Sequence, residues 1–209
     1  GGHGHVFPME TGIVSPGTLY FDNDRHCTNV GGIGAAAFRM GTEISRVLAT
    51  GTNWLMGPRT VKLVIKGQAK PGVHARDIGF VIGAKIAAPA DQGGFGVDID
   101  YRILEFAGEL DQCSVAARVS LCSTPTEMRA IGVFFPPSAA VLDYARARTQ
   151  KPFEAVYSDA DADYEATIEL DVGQLEPQVA LPGGPHRAAN LDSVAGEKID
   201  HAYIGSCGS

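Results

Sequence analysis

The segment Val61-Lys-Leu-Val-Ile-Lys66 alternates apolar and polar side chains, which is the period of a half-buried β-strand. Pro71-Gly-Val-His-Ala-Arg-Asp77 follows it and opens a predicted helix that runs through Ile86. Further downstream the sequence predicts strands at 101–106, 133–135 and 164–171, and helices at 110–131, interrupted by Pro125, and at 139–148. Strands that alternate with helices indicate an α/β layered architecture.

Three segments flank this central part. Thr18-Leu-Tyr-Phe21 predicts a short strand that runs into a polar loop at 22–29. From Ile33 to Leu48 the apolar residues step mostly by three and four, which predicts a helix of about 15–18 residues with glycines at its entry. After an extended excursion at 174–196, His201-Ala-Tyr-Ile204 predicts a last strand.

The composition excludes several classes of protein. The chain has 209 residues and a net charge of −7, and its lysines and arginines are scattered, so we expect no nucleic-acid partner. No apolar run approaches the roughly 20 residues that span a bilayer, so we expect no membrane attachment. The four cysteines form no Cys-x-x-Cys pair, and we expect reduced thiols in a cytoplasmic protein.

The polar loop brings together groups that can do chemistry. Asp24, Arg25, His26 and Cys27 place a carboxylate, a guanidinium, an imidazole and a thiol ahead of the predicted helix, whose N-terminus would stabilise an anion. The arginine could hold a carboxylate with two hydrogen bonds. An Asx-turn with a helix cap is the simpler interpretation. A thiol enzyme that uses Cys27 with His26 is disfavoured, because adjacent residues in extended chain point apart.

Other candidates are ambiguous by themselves. Gly32-Ile-Gly34-Ala-Ala-Ala37 matches a dinucleotide-binding pattern, but the acid expected about 20 residues later is missing, so we expect no nicotinamide cofactor. His5 could share a metal with the nearby His3, although two histidines do not make a site. Glu127 could be a solvated helix acid, and Cys207 could be a small core residue.

Six separated motifs together resemble the large subunit of the aconitase/3-isopropylmalate dehydratase family. They are His5-Val-Phe-Pro-Met-Glu10 with Ser15-Pro-Gly17, Asp24-Arg-His26, Gly31 to Thr50, Gly72 to Ile78, Leu121 to Glu127, and Tyr203-Ile-Gly-Ser-Cys207. The resemblance runs over essentially the whole chain. The run Leu175-Glu-Pro-Gln-Val179 is most similar to the isopropylmalate/homoaconitate dehydratase branch.

The resemblance implies three-layer α/β/α aconitase-type domains, present here in part. Residues 1–57 would end a first α/β domain and carry the Asp-Arg-His loop, 58–198 would form a second α/β domain, and 199–209 would begin a third. The implied activity is that of an iron–sulfur hydro-lyase, which removes and re-adds water on a hydroxy di- or tricarboxylic acid. A [4Fe–4S] cluster held by three cysteines would leave one iron open to the substrate.

The resemblance also implies roles for single residues. Cys207 would be the first cluster ligand. Asp24 and His26 would be acid–base and hydrogen-bonding partners in the active site, His5 a further active-site histidine, and Glu127 a carboxylate beside the open iron.

Two positions depart from the family pattern and would contact the substrate. Arg25 replaces a small serine that touches substrate in the family, and Ser123 stands where members commonly carry asparagine. The identity of the substrate is therefore open.

One thiolate cannot hold the cluster, and the family's other two cysteines lie downstream. We therefore expect a piece of a longer protein that is inactive alone, with a separate small subunit as a further partner. The alternative is a cluster-free carboxylate-binding or scaffold module of the same fold.

Overall fold

The computed structural model describes residues 2–205. Its α-helices and β-strands follow in the order α1 (Phe7–Glu10), β1 (Leu19–Asp22), β2 (Ala36–Arg39), α2 (Ile44–Thr50), β3 (Thr60–Lys66), α3 (Ala75–Ala87), β4 (Ile103–Gly108), α4 (Val115–Glu127), β5 (Gly132–Phe134), α5 (Ala139–Arg146), β6 (Ala166–Asp171), β7 (Gln178–Ala180) and β8 (Ala188–Asn190). Short 3-10 helices occupy Arg25–Ile33, Ala90–Gln92, Val172–Gln174 and Leu191–Val194.

The central sheet contains four parallel strands in the order β5-β4-β3-β6. In β3, Val61, Leu63 and Ile65 are buried, whereas the residues between them are half-buried. Leu63 lies opposite Phe106 of β4 and Ile168 of β6, so one apolar row crosses the sheet. The alternation read from the sequence therefore produces this row, and the predicted α/β class is confirmed.

Helices α3 and α4 pack on each other and on this apolar row. Gly79 and Gly83 of α3 face Thr124 of α4, where an added Cβ would lie 2.8 Å and 3.0 Å from its side-chain atoms. Glycine at these two positions lets the helices approach closely. The N-cap of helix α3 is His74, whose backbone N–H donates to the Asp77 carboxylate at 2.7 Å.

The N-terminal region builds a second, smaller core. Met9, Cys27, Val30 and Ile33 pack together, and α4 and α5 add one valine each. The polypeptide approaches the central sheet at Gly31, whose carbonyl accepts the Phe135 N–H at 3.0 Å. An added Cβ at Gly31 would lie 1.8 Å from a backbone oxygen, so this contact requires glycine.

The helix predicted for 33–48 is wrong. The 3-10 helix Arg25–Ile33 occupies part of the predicted loop and ends at Gly34, whose φ of 79° is left-handed. Ala36–Arg39 then forms β2, parallel to β1, and only Ile44–Thr50 is helical. Pairing with β1 overrides the helical spacing, although alanine by itself favours a helix, because tertiary contacts outweigh intrinsic propensity. No α-helix begins at the glycines, so the predicted helix N-terminus for an anion is absent too.

The last predicted strand is also wrong. Residues 201–205 have no regular structure, and Tyr203 and Ile204 are 90% and 100% exposed. Within the predicted excursion, β7 and β8 form an antiparallel pair. No helix in the described part of the chain is long and apolar enough to cross a membrane.

Candidate active site

The loop that carries Asp24 and His26 is fixed by a short-range cap. Asp24 precedes the 3-10 helix Arg25–Ile33, and its Oδ1 accepts the His26 backbone N–H at 2.8 Å. This N–H donation is the main cause that lowers the pKa of Asp24 below its usual value. The Asx-turn is thus present, and it keeps the carboxylate ionised and pointed at the imidazole.

The imidazole of His26 lies between two carboxylates. Its Nδ1 is 3.0 Å from Asp24 Oδ1, and its Nε2 is 2.8 Å from Glu127 Oε1. Glu127 is the last residue of α4 and lies 101 positions from His26 along the chain. When the ring is protonated, both nitrogens donate, and each carboxylate stabilises the positive charge. The arrangement is that of a positioned acid–base group.

A buried pair of hydroxyls holds this loop against α4. Thr28 Oγ1 and Thr126 Oγ1 are 2.5 Å apart, and Thr126 also donates to the Cys122 carbonyl at 2.9 Å. Both threonines are 2% exposed. Thr28 is two residues from His26, and Thr126 directly precedes Glu127. The contact between the two hydroxyls therefore holds the segment of His26 next to that of Glu127.

Arg25 pairs with the same glutamate. Its Nη2 donates to Glu127 Oε2 at 3.1 Å, while His26 engages the other carboxylate oxygen. The arginine side chain is 55% exposed and that of Glu127 is 34% exposed. The glutamate is therefore held from two sides, by a fixed cation and by a titratable ring.

His5 completes the group from the N-terminal segment. It is 5% exposed, its Nδ1 lies 3.8 Å from Asp24 Oδ2, and its ring centre lies 5.7 Å from that of His26. Burial lowers the pKa of His5, and this effect outweighs the attraction of Asp24, which acts in the opposite direction. The ring of His3 stacks on His5 at 5.3 Å.

Tyr20 positions the segment that carries His5, a role that the sequence analysis did not predict. Its hydroxyl donates to the Gly4 carbonyl at 2.9 Å and lies 3.1 Å from Asp22 Oδ2. Burial, followed by the charge of Asp22, raises the pKa of Tyr20 to about 12, so it remains a donor. The available signal was the spacing of two between Tyr20 and Asp22, which places both side chains on one face of β1.

Ser123 lies one helical turn before Glu127 on α4 but makes a different contact. Its hydroxyl donates to Asn29 Oδ1 at 3.3 Å. Asn29 is 2% exposed and belongs to the same 3-10 helix as His26. The structure therefore brings together Asp24, Arg25, His26, Glu127 and His5, and places Ser123 beside them, where it bonds to Asn29 instead.

The described cysteines do not form a metal site. Cys27 and Cys122 are fully buried, and burial raises the pKa of both and also that of Cys113. Among residues 2–205, no group of three histidine, cysteine or acidic side chains could hold a metal ion. Cys207 lies outside the described residues. The described residues alone therefore do not fit a [4Fe–4S] cluster, which requires several thiolates.

The geometry also opposes a thiol enzyme. Burial raises the pKa of Cys27 to about 12, with the charges of Asp22 and Asp24 as further causes. Its Sγ lies against the Arg25 carbonyl at 3.9 Å rather than against the His26 ring. A neutral, buried thiol is a poor nucleophile.

The fold, together with the group formed by Asp24, His26 and Glu127, defines an α/β protein in which a histidine is held between two carboxylates. The model of the aconitase family (aconitate hydratase) matches residues 2–203. The chain belongs to the aconitase family.

Individual relatives agree with this assignment. The chain is 35% identical over 206 residues to a "Probable methanogen homoaconitase large subunit" of Methanothermobacter thermautotrophicus, covering 97% of this chain and 46% of the relative. It is 36% identical over 205 residues to "3-isopropylmalate dehydratase large subunit 1" of Methanopyrus kandleri, covering 97% of this chain and 47% of the relative. The chain spans about half the length of the curated relatives it matches.

Proposed function

We propose that this chain is the large-subunit portion of an iron–sulfur hydro-lyase that dehydrates and rehydrates a hydroxy di- or tricarboxylic acid. The observation that carries the proposal is the position of His26, with Asp24 at 3.0 Å on one ring nitrogen and Glu127 at 2.8 Å on the other. The names of the relatives, which are dehydratases and homoaconitases, support the same reaction class.

Elimination of water needs an acid for the departing hydroxide. We assign this role to His26. As the C–O bond breaks, its electron pair leaves with the oxygen, which takes the proton of the imidazolium Nε2 in place of Glu127 and departs as water. The electron pair of the neighbouring C–H bond forms the C=C bond, and the proton of that bond passes to a general base of the intact protein. Asp24, ionised because of its N–H bond, holds the ring and stabilises its protonated form. In the hydration direction, the same ring nitrogen accepts the proton from water.

The other residues bind and orient. Glu127 holds Nε2 of His26 until the substrate oxygen takes its place, and Arg25 supplies a permanent positive charge for substrate carboxylates. His5 contributes a buried ring beside Asp24, and Ser123 fixes Asn29. We therefore propose that His5, Asp24, His26 and Glu127 are catalytic and that Arg25 and Ser123 bind the substrate.

The cluster belongs to the intact protein in this proposal. Cys207 would supply one thiolate, and two more ligands would come from sequence outside residues 1–209. The relatives are named as large subunits, which supports a separate small subunit as a partner. We also propose the domain boundaries 1–57, 58–198 and 199–209. The free thiols at Cys27, Cys113 and Cys122 support a cytoplasmic location.

A cluster-free carboxylate-binding module is the second candidate. The half-exposed guanidinium of Arg25 favours it, since this group can bind a carboxylate without any reaction. Only the hydro-lyase would convert substrate to product, so a measurement of turnover distinguishes the two candidates.

The test uses the intact protein with its small subunit, reconstituted anaerobically with iron and sulfide. Formation of the unsaturated acid from a panel of hydroxy acids is followed by its ultraviolet absorbance. We expect turnover, and a loss of about 10²–10⁴-fold in His26→Asn. His186→Asn, on an exposed loop, is the matched control and should keep full activity.

The same reconstitution applied to the 209-residue chain alone tests the assignment of the cluster ligands separately from the proposed function. We expect it to form no cluster and to give no turnover. Cluster absorbance and turnover in this chain alone would show that the missing ligands are wrongly assigned. Substrate binding without turnover in the reconstituted complex would favour the binding module.

A further inference from the structure

We propose that Arg25 determines substrate specificity: it holds Glu127 with one nitrogen and binds with its remaining N–H groups a third carboxylate of the substrate. This inference rests on the proposed function. It selects tricarboxylic hydroxy acids over dicarboxylic hydroxy acids that carry a branched alkyl group in the same place.

The first support is the unused part of the guanidinium. Among residues 2–205, the Nη2 of its three nitrogens alone donates a hydrogen bond, to Glu127 Oε2 at 3.1 Å. Nε and Nη1 donate to no residue in the described range 2–205. The side chain is 55% exposed, so these N–H groups face solvent and can reach a ligand. A planar fork with free donors is suited to a carboxylate.

The second support is the position of this fork beside the acid–base group. Arg25 and His26 bind the two oxygens of one carboxylate, that of Glu127. A ligand held by the free donors of Arg25 therefore lies next to the His26 ring. The pairing with Glu127 restricts the long arginine side chain, so less conformational freedom is lost when a ligand binds.

The third support is the charge around the site. Asp24 and Glu127 flank the His26 ring, and Asp22 Oδ1 accepts the Asp24 backbone N–H at 3.5 Å, so the proposed site contains three carboxylates. In this group of side chains, Arg25 is the cation whose charge does not depend on pH. A third substrate carboxylate meets attraction at the guanidinium, whereas an alkyl group in the same place would cover its N–H groups and leave them without partners.

The test measures binding, so it does not depend on turnover. Two non-reacting probes are titrated into the intact protein by calorimetry: propane-1,2,3-tricarboxylate and 2-isopropylbutanedioate. We expect the wild type to prefer the tricarboxylate by about 10–100-fold. In Arg25→Ser this preference should fall to about threefold or less, and Arg25→Lys, which keeps the charge but loses the fork, should retain part of it.

Arg146→Ser is the matched control. Arg146 is exposed and pairs with Asp143 at 3.0 Å on α5, so its removal lowers the net charge equally and should leave the preference unchanged. A preference that survives in Arg25→Ser would overturn the inference, as would a wild type that binds neither probe or binds the alkyl probe equally well. Arg25-dependent binding in a protein that turns over no hydroxy acid would refute the proposed function and leave this inference standing.

Discussion

The two ends of helix α4 use arginine in opposite ways. In its first turn, Arg118 is 1% exposed and donates to the carbonyls of Cys113, Pro136 and Leu110 at 3.2, 2.9 and 3.3 Å. No ion pair joins it to an acid within the described residues. At the last residue of the helix, Glu127 pairs with Arg25, which is more than half exposed.

The difference shows that lost hydration, rather than charge, decides what an arginine contributes to stability. Burial lowers the pKa of Arg118, and the three carbonyls together with the Phe135 ring at 5.4 Å offset this cost. These contacts join the start of α4 to the segment after β5. Arg25 remains largely hydrated, so its pair with Glu127 adds little to stability, and its remaining N–H groups stay open to water or to a ligand. One end of the helix is a structural joint, and the other carries the binding site that we propose.

Replacing Arg118 should have the largest effect on stability. In Arg118→Met, one buried and two partly buried carbonyls lose a charged donor, and we expect the free energy of unfolding to fall by about 3–5 kcal/mol. Urea denaturation followed by circular dichroism measures it. The exposed Arg146→Met is the control, with an expected change within about 0.5 kcal/mol. A loss below about 1 kcal/mol in Arg118→Met would remove the distinction between the two ends.

The buried hydroxyl pair next to Glu127 should have an intermediate effect. Thr126→Val removes the contact with Thr28 and the bond to the Cys122 carbonyl, and we expect a loss of about 1–2 kcal/mol. Thr28→Val and the double variant complete a mutant cycle, which should give a coupling energy of about 1 kcal/mol. Strictly additive losses would mean that the pair does not hold the loop on α4.

The fold could be predicted where the pattern of residues is compatible with only one type of secondary structure. The strand at 61–66 and the helix that runs through Ile86 pack against a common core, and both were predicted correctly. Residues 33–48 were not, because the helical preference of Ala36 and Ala37 is overridden by their pairing with β1, which no local pattern reveals. The strand predicted at 201–204 has the right composition, but residues 201–205 lie outside every sheet described.

The site was predictable only in part. The sequence placed Asp24 and His26 in one loop, but no local pattern connects His26 to Glu127 across 101 positions; the family resemblance made that connection. The pairing of Arg25 with Glu127 could not be predicted, since it depends on where a flexible side chain finds a partner. Arg118 escaped notice because a lone arginine in a helix normally faces water.

A smaller effect is expected from His5 as the pH falls. Its pKa in the fold lies below the ordinary 6.5, so the unfolded chain binds its proton first. The free energy of unfolding should therefore decline as the pH falls below 6.5 and through the pKa of the folded state. In His5→Asn this decline should be shallower, whereas the exposed His186→Asn should follow the wild type. Denaturation curves across this pH range test it, and identical slopes for wild type and His5→Asn would contradict it.

The smallest effect on stability is expected for Arg25→Ser. The pair with Glu127 has a single hydrogen bond between groups that water reaches, and such pairs contribute roughly 0–1 kcal/mol. Glu127 keeps its bond to His26 after the substitution, so no buried charge is left without a partner. Denaturation under the conditions used for Arg118→Met should thus give a nearly unchanged midpoint, while binding of the tricarboxylate probe weakens. A stability loss comparable to that of Arg118→Met would mean that Arg25 is a second structural joint and that its exposed fork has no separate role.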